Sequence, residues 1–368
     1  MQPHTTVSFV GIASLCSQKR LITFDFYVAS LYPKDMKLPT GKRVLSGIQP
    51  TGIPHIGNYL GALKQWVALQ NAGNKCHWFI ADLHAVTVPY DVGHYHTNVL
   101  TSAATLLAIG IDPEKSTLFI QSHIPAHTEA AWYMSCQTKF SELGRMTQFK
   151  EKGGGKTGVS TGLFIYPILM AVDVLLYQTE LVPVGEDQVQ HLELTRMLAR
   201  RFNSLFTHLF TEPEPYVIKE VARVMSLKDP KKKMSKSGNP NDAIFLNDSQ
   251  DDIQKKIRGA VTDSGSVFEA DNVGPALKNL LSIYIAFSEK SAEEVLNKFD
   301  GKGYAAIKND VAELLIEKLT PIRNKIRDYL DNESSLMANL QLGARRANEI
   351  AQKNLREMKS RMGFTQIS

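Results

Sequence analysis

The chain has 368 residues, 43% of them hydrophobic and 21% charged, and a formal net charge of +5. This composition indicates a globular protein with ample material for a core, and no apolar run approaches the roughly 20 residues of a membrane-spanning helix. Its three cysteines are too scattered for a disulfide framework or a zinc site. We expect a reduced, cytoplasmic protein of two domains, or of one domain with a large appendage.

The N-terminal extension, residues 1–40, is hard to place. Residues 7–16 are apolar, but no basic stretch precedes them and no cleavage site follows, which argues against a secretory signal. An organellar targeting segment, and hence a matrix location, is the alternative, although Asp25 and Asp35 argue against it. We favour Met36 as the natural start, because organised sequence begins only a few residues later.

Short apolar runs alternate with amphipathic stretches between residues 43 and 226. Leu60, Leu63 and Val67 recur at helical spacing and predict a helix that stops near Gly73. Strands that alternate with helices indicate an α/β domain, whose parallel sheet is covered on both faces and binds ligands at the carboxyl ends of its strands. The predicted strands are 44–48, 76–81, 117–121, 181–184 and 222–225.

Helical patterns dominate after Pro240 and strand signals almost vanish. We predict helices at 251–260, 273–287 and 311–330, with Pro321 opening or kinking one of them. The expected domains are an α/β domain at 41–240, a helical domain at 241–335 and a basic C-terminal helix at 336–368 that packs on the α/β domain.

The first motif, SGIQPTGIPHIGN at 46–58, follows a predicted strand and precedes a predicted helix. Gly52 and Gly57 allow close approach of a ligand to the backbone. The helix N-terminus offers N–H groups and a positive dipole end to phosphate, and His55 adds a donor nearby. Taken alone, the segment is equally well explained as a strand-to-helix turn with an ordinary polar histidine.

The second motif is KKKMSKSG at 231–238. A charge run is usually a solvated loop, but KMSKS would arise by chance in a chain of this length only about once in ten thousand. Flexible ammonium groups make point contacts with phosphate, and this motif therefore predicts phosphate binding.

Together the two motifs resemble the paired HIGH and KMSKS signatures of class I aminoacyl-tRNA synthetases. The first is written HIGN at 55–58, and Asn58 in place of the second histidine is familiar in the tryptophan and tyrosine branch. The segments YPILMAVDVLLY at 166–177 and VPVGEDQ at 182–188 resemble the amino-acid pocket of the tryptophanyl-tRNA synthetases. This family implies a Rossmann-like catalytic domain that ends in the KMSKS loop, and a helical anticodon-binding domain.

The resemblance assigns Asp173 to the indole of tryptophan. A carboxylate in so apolar a segment is costly unless it is paired, and an indole N–H, which only donates, suits it. A bond to a nearby side chain is the alternative, as is plain core packing for the expected ring walls, Met170, Val182 and Val184. The residues expected to reach the backbone groups of the amino acid are Tyr166, Gln188 and Gln49.

The resemblance also implies an ATP site. Asp187 would hold the ribose, and a first-turn helix carboxylate stabilised by the dipole is a compatible alternative. Lys152 would touch the phosphates. The other expected ATP-binding residues are Gln49, Pro50, Thr51, Gly57, Asn58, Gly185, Glu186, Val224, Lys233, Met234, Ser235, Lys236 and Ser237.

The implied chemistry needs no protein nucleophile, because the carboxylate of L-tryptophan attacks ATP and tRNA(Trp) then takes the amino acid. Catalysis is orientation and charge stabilisation, assigned to His55, Lys233 and Lys236 with Mg²⁺ accompanying ATP and no protein-bound metal. The family implies a homodimer without membrane association. Residues expected near the tRNA, unless they are merely exposed helix charges, are Lys255, Lys256 and Arg258.

Three alternatives stay open. A tyrosyl-tRNA synthetase is disfavoured by Asp173 and by the segment 185–188. A ligase that forms an acyl-adenylate, such as pantothenate synthetase, would not explain the tryptophan-type pocket or the helical domain. A catalytically silent RNA-binding paralogue would be expected to lose His55, Lys233 or Lys236.

Overall fold

The computed structural model describes residues 38–149, 160–217, 224–236, 238–265, 267–269 and 273–365. Their contacts group into two compact units. The first unit contains His55–Gly61 and the described residues of 220–321. The second unit contains the described residues of 37–54, 62–219 and 322–368. The division at residues 40, 240 and 335 stays a prediction.

The second unit contains a five-stranded parallel sheet of order β3-β2-β1-β4-β5. The order reverses beside β1, and ligands of such sheets bind at the carboxyl ends of the strands next to this switch point. The predicted α/β parallel sheet is confirmed. Its strands are β1 (Arg43–Ile48), β2 (Lys75–Ile80), β3 (Ser116–Ile120), β4 (Leu181–Val184) and β5 (Glu214–Val217).

Four of the five predicted strands are confirmed within one residue, because their apolar side chains are buried in the core. The prediction at 222–225 is not confirmed: residues 222–223 lie outside the described ranges, and Met225 forms an isolated bridge with Lys233. The fifth strand of the sheet is β5, which was not predicted. Its edge position explains why the strand is partly exposed and why it can contain Pro215.

Helices account for most of the remaining structure, and the helical C-terminal region is confirmed. Pro321 lies inside a continuous helix, so the prediction that it opens a helix is wrong. The helices are α1 (Ile56–Asn58), which continues as a π-helical turn (Tyr59–Leu63), α2 (Lys64–Asn71), α3 (Asp82–Ala85), α4 (Val92–Ala108), α5 (Ala126–Ser135), α6 (Phe140–Leu143), α7 (Thr161–Leu175), α8 (Val189–Phe206), α9 (Gln250–Arg258), α10 (Pro275–Ser288), α11 (Ala292–Phe299), α12 (Tyr304–Asp331) and α13 (Glu333–Arg361).

The core of the second unit lies between the sheet and helices α5, α7, α8 and α13. Helix α13 packs directly on β3, with Ala347 and Ala351 fully buried. At Gly343 a Cβ atom would overlap the carbonyl oxygen of Leu118, so a glycine is required for this close approach.

Among the described residues, no helix has the length and apolarity needed to span a bilayer. The same residues contain no group of three or more histidine, cysteine, aspartate or glutamate side chains that could hold a metal ion. Cys76 is buried and Cys136 exposed, and both are free thiols. Cys16 lies outside the described ranges.

Candidate active site

His55 is held at the start of α1 by a capping box in the first unit. Its Nδ1 accepts the backbone N–H of Gly57 at 3.1 Å and of Asn58 at 3.3 Å. The side-chain oxygen of Asn58 accepts the backbone N–H of His55 at 3.2 Å. A Cβ at position 57 would lie 2.9 Å from the imidazole, so Gly57 leaves room for the ring. The HIGN segment thus fixes the orientation of His55.

These bonds determine the protonation of the imidazole. Because Nδ1 accepts two N–H groups, the single proton of the neutral ring lies on Nε2. Burial, and then the positive charges of Lys236 and Lys233, lower the pKa of His55 from 6.5 to about 4. His55 is therefore a neutral hydrogen-bond donor at pH 7.

The lysine-rich motif begins on a short hairpin of the first unit. Met225 and Lys233 form an antiparallel bridge, and the N–H of Met234 donates to the carbonyl of Val224 at 3.0 Å. The side chain of Met234 is only 2% exposed and anchors the loop, while those of Lys233 and Ser235 are exposed. Burial of Met234 thus fixes the loop while the side chains of Lys233 and Ser235 stay at the surface.

Helix α10 fixes this hairpin through Asn279, which sequence analysis missed. The Asn279 side chain accepts the N–H of Met225 at 2.9 Å and donates to its carbonyl at 3.0 Å. Asn279 is buried, and helical spacing puts it on the same face of the predicted helix as Ala276 and Ile283. A polar side chain on that face is the signal by which it could have been found.

Lys236 is half-buried, and burial lowers its pKa to about 8. Its ammonium group stays mostly protonated at pH 7. Lys233 and Lys236 both lie close enough to His55 for their charges to shift its pKa. The structure thus brings together the three predicted catalytic residues, two cations and one neutral donor, which is an arrangement suited to phosphate oxygens.

Asp173 lies on α7 in the second unit, with 1% of its surface exposed. Its Oδ2 receives His84 Nε2 at 2.7 Å, and its Oδ1 receives His127 Nδ1 at 2.5 Å. Gln121 Nε2 lies 2.8 Å from both oxygens. Burial would raise the pKa of Asp173, but hydrogen bonds from His127 and His84 outweigh it and hold the pKa at about 2.

The bonds to nearby side chains, which were the alternative interpretation of Asp173, are therefore present, and its contact with tryptophan stays a prediction. Sequence analysis missed all three partners of this carboxylate. Gln121 ends the predicted strand 117–121, and His84 lies three residues after the predicted strand 76–81. Their place at the carboxyl ends of strands was the available signal. His127 lies on α5 and offered no comparable signal.

Tyr166 belongs to a chain of polar contacts in the same unit. Its hydroxyl lies 2.7 Å from His191 Nε2 and donates to the Gln148 side chain at 3.1 Å. The Gln148 amide donates to Asp187 at 3.3 Å, and the Gln188 amide donates to the same carboxylate at 2.6 Å. The predicted residues Tyr166, Asp187 and Gln188 are thus connected.

The predicted walls of the indole pocket lie on α7 and β4. Val182 and Val184 are buried, and Met170 is half-buried. At the end of β4, a Cβ on Gly185 would lie 2.8 Å from an Asp187 carboxylate oxygen, so the turn into exposed Glu186 needs a small residue. This segment positions polar side chains at the carboxyl end of the strand.

The loop after β1 carries three more predicted residues. Gln49 and Thr51 are exposed, while Pro50 is buried. The N–H of Thr51 donates to the carbonyl of Gln49 at 2.8 Å, and Gly52 has a φ of +90°, which only glycine adopts readily. The loop therefore forms a tight turn at the carboxyl end of a central strand.

Two predicted phosphate ligands, Lys152 and Ser237, lie outside the described residues. On α9, Lys256 is 8% exposed and pairs with Asp248 at 2.6 Å. Its interpretation as an exposed helix charge is therefore wrong, whereas Lys255 and Arg258 are exposed.

This chain belongs to the class I tRNA synthetases of the tryptophan and tyrosine family, which match residues 40–320. Within that family its relatives are tryptophan–tRNA ligases. The chain is 52% identical over 325 residues to the one from Caldanaerobacter subterraneus, covering 88% of this chain and 98% of the relative. It is 49% identical over 325 residues to one from Listeria monocytogenes, with the same two coverages.

Solved structures agree with the sequence relatives. The tryptophanyl-tRNA synthetase of Campylobacter jejuni complexed with ADP and tryptophan has a TM-score of 0.79 and 36% identity, covering 88% of this chain and 100% of that one. The enzyme of Mycoplasma pneumoniae has a TM-score of 0.76 and 37% identity, covering 89% and 99%. A tyrosyl-tRNA synthetase from Aeropyrum pernix, at 20% identity and a TM-score of 0.59, shares the fold.

Proposed function

We propose that the site residues described above carry both steps of tryptophan–tRNA ligation. The chain is a tryptophan–tRNA ligase, as its relatives over nearly their whole length are. In the first step the carboxylate of L-tryptophan attacks the α-phosphorus of ATP, forming tryptophanyl-adenylate and releasing pyrophosphate. In the second, the terminal ribose hydroxyl of tRNA(Trp) attacks the adenylate carbonyl and AMP leaves.

Asp173 recognises the indole N–H, and this buried, ionised acceptor is the observation that carries the proposal. A carboxylate that stays charged at 1% exposure cannot donate, so it favours a ligand that presents an N–H donor. Phenylalanine offers no donor and would forgo the hydrogen bond to this carboxylate, which costs far more than a missing methylene. Met170, Val182 and Val184 pack on the ring, while Tyr166, Gln188 and Gln49 bind the ammonium and carboxylate groups.

His55, Lys233 and Lys236 bind the phosphates of ATP. The two lysines neutralise charge on the β- and γ-phosphates, and the Nε2–H of His55 donates to a phosphate oxygen whose charge grows in the transition state. Mg²⁺ accompanies the triphosphate and neutralises further charge. Asp187 binds the ribose, and the turns at 49–51 and 185–186 approach the nucleotide with their backbone. The exposed Lys255 and Arg258 contact the tRNA.

The enzyme acts as a homodimer in the cytoplasm. Large apolar side chains are exposed on three helices of the second unit: Trp132 on α5 is 68% exposed, Phe140 on α6 is 79% exposed and Ile165 on α7 is 40% exposed. A second copy of the chain would remove these side chains from water, as in the isologous interfaces of most soluble dimers.

Two variants distinguish the phosphate-binding role of Lys236 from the indole-binding role of Asp173. Both are measured in single-turnover adenylate formation. Lys236→Ala removes a cation that acts on the phosphates, so its rate at saturating substrates should fall by about a hundredfold or more while the tryptophan Kd stays unchanged. Asp173→Ala should instead raise the tryptophan Kd by at least about a hundredfold.

The matched control is Lys232→Ala, which removes an exposed lysine of the same hairpin that pairs with Asp229 at 3.4 Å. It should leave both quantities near the wild-type values. Equal rates for Lys236→Ala and wild type would refute the phosphate role of Lys236, and an unchanged Kd in Asp173→Ala would refute the indole assignment.

A further inference from the structure

The carboxylate of Asp173 forms one end of a buried chain of hydrogen bonds. His127 lies between Asp173 and Tyr177: its Nδ1 is 2.5 Å from Oδ1 of Asp173, and its Nε2 is 2.8 Å from the Tyr177 hydroxyl. His127 is 0% exposed and Tyr177 is 1% exposed, so water does not compete for these bonds. The tryptophan mechanism as proposed uses neither His127 nor Tyr177.

The two contacts of His127 define a tautomer of its ring. Asp173 accepts as a carboxylate, so Nδ1 of His127 carries a proton. In that tautomer Nε2 accepts, and the Tyr177 hydroxyl donates to it. Burial, and then the nearby charge of Asp173, raise the pKa of Tyr177 well above its usual value of 10, so the phenol keeps its proton. Each donor in the chain points towards Asp173.

The contacts of Gln121 are independent evidence that the site is arranged around the negative charge of Asp173. Its amide Nε2 lies 2.8 Å from both carboxylate oxygens. Its Oε1 is buried and has no hydrogen-bond partner among the described residues. An unsatisfied buried acceptor is destabilising, and the opposite orientation of the amide would place that oxygen against the carboxylate.

The donors differ in where they lie around the carboxylate. His127 and Gln121 are fully buried, whereas His84 is 7% exposed and its ring meets the edge of Tyr166 with centroids 6.1 Å apart. His84 is thus on the side of the predicted amino-acid site. A carboxylate offers about four lone-pair positions, and His84, His127 and Gln121 already make four contacts with it. The indole N–H would therefore replace the contact of His84, the least buried of these donors, while His127 and Gln121 keep holding the carboxylate.

We propose that His127 and Tyr177 are positioning residues that set the specificity for tryptophan. Tyr177 fixes the tautomer of His127, and His127 holds Asp173 as an ionised, correctly oriented acceptor for the indole N–H. This inference rests on the proposed function, in which Asp173 receives that N–H. It adds a specificity determinant that never touches the substrate.

The test is a specificity ratio rather than an activity. Amino-acid-dependent ATP–pyrophosphate exchange is measured with L-tryptophan and with 3-(benzothiophen-3-yl)-L-alanine, in which sulfur replaces the indole N–H. The quantity compared is kcat/KM for tryptophan divided by kcat/KM for this analogue. A purely structural role for His127 would lower both values by the same factor and leave the ratio unchanged.

We expect His127→Leu, which removes the donor, to reduce this ratio by about tenfold or more. His127→Asn retains an amide donor near the position of Nδ1 and should keep the ratio within about threefold of wild type. Tyr177→Phe, the mildest change, should reduce the ratio severalfold and serves if His127→Leu does not fold. Tyr133→Phe, which removes a hydroxyl bonded to Glu129, should leave the ratio unchanged.

An unchanged ratio in His127→Leu or in Tyr177→Phe overturns the inference. So does an equal loss in His127→Asn and His127→Leu, since the donor would then be irrelevant. The variant Asp173→Asn distinguishes an error in the indole assignment from an error in the roles of His127 and Tyr177 alone. If it leaves the ratio unchanged, the indole assignment itself is wrong. If it lowers the ratio while the His127 and Tyr177 variants do not, only the present inference fails.

Discussion

At the scale of single residues, the protonation of His55 defines what it can contribute. A cationic imidazole would add charge beside two lysines, but the two backbone N–H groups at Nδ1 and the burial of the ring oppose protonation. His55 therefore acts as a directed neutral donor through Nε2, and the positive charge of the site comes from the lysines. Its role differs from that of a general base, because the substrate carboxylate is already ionised.

Two substitutions of His55 separate capping from catalysis. His55→Asn retains a good N-cap acceptor but loses the Nε2 donor, so we expect near wild-type stability and adenylate formation slowed about a hundredfold. His55→Ala loses both the N-cap acceptor and the Nε2 donor, so its free energy of unfolding should also fall by about 1 kcal/mol. Urea denaturation and single-turnover rates measure the two effects. Wild-type rates in His55→Asn would contradict the donor role.

The pKa values predict the direction of the pH dependence. Because the pKa of His55 falls from 6.5 to about 4 on folding, the unfolded chain binds a proton that the folded chain does not. Stability from this group is fully present above pH 6.5 and declines as the pH falls towards 4. On the basic side, kcat/KM for ATP should decline as Lys236 of the unliganded enzyme deprotonates near pH 8. The variant Lys236→Arg should abolish this decline of kcat/KM near pH 8. A decline that persists in the variant would contradict its assignment to Lys236.

The residues that could be predicted are those with a motif or an unusual local setting. Asp173 is conspicuous as a carboxylate among apolar neighbours. Its partners His84, Gln121 and His127 come from three separate segments, and only the fold brings them to one carboxylate. Long-range polar contacts of this kind leave no periodicity in the sequence, so they could not be predicted from it.

At the scale of elements, the prediction succeeded where burial gives a clear pattern. Strands β1 to β4 have buried apolar side chains and were predicted from them, whereas edge strand β5 has a half-exposed polar pattern. Helices α9, α10 and α12 follow from their periodicity, but the short α11 was not predicted. The hydrophobic periodicity of a segment indicates which of its side chains are buried. This signal is weak where an element is short or exposed.

Helix α13 depends on one glycine for its contact with the sheet. Because a Cβ on Gly343 would overlap the backbone of Leu118, Gly343→Ala must displace α13 from β3. We expect the free energy of unfolding to fall by about 2 kcal/mol or more, although alanine is the better helix former. Gly144→Ala is the matched control, since a Cβ there makes only ordinary contacts, the shortest at 3.6 Å. Equal urea midpoints for the two variants would contradict this packing account.

At the scale of the whole molecule, the proposed homodimer makes a further prediction. Phe140→Glu places a charge among the exposed apolar side chains of α5, α6 and α7, so light scattering after gel filtration should give the mass of a monomer. Val261→Glu, at a half-exposed apolar position in the first unit, should leave the dimer intact. A monomeric wild type, or a dimeric Phe140→Glu variant, would contradict the proposed interface.

The family membership extends over most of the chain, and it shows why the sequence was informative about function. The two motifs expected to bind phosphate and the two segments that resemble an amino-acid pocket are short, local and chemically specific, so they indicate the reaction before the fold is known. The division into units could not be anticipated in the same way. The HIGN residues group with residues beyond 220, although more than 150 residues separate them in the chain.

In the proposed function, this site activates tryptophan and recognises its indole N–H through the ionised carboxylate of Asp173. The most direct test is ATP–pyrophosphate exchange by the wild-type protein with Mg²⁺, comparing L-tryptophan, L-tyrosine and L-phenylalanine. We predict exchange with tryptophan and rates lower by about ten-thousandfold or more with phenylalanine, because phenylalanine cannot donate a hydrogen bond to the buried carboxylate. Exchange with tyrosine at a comparable rate, or no exchange by the folded protein with any of the three, would contradict the account.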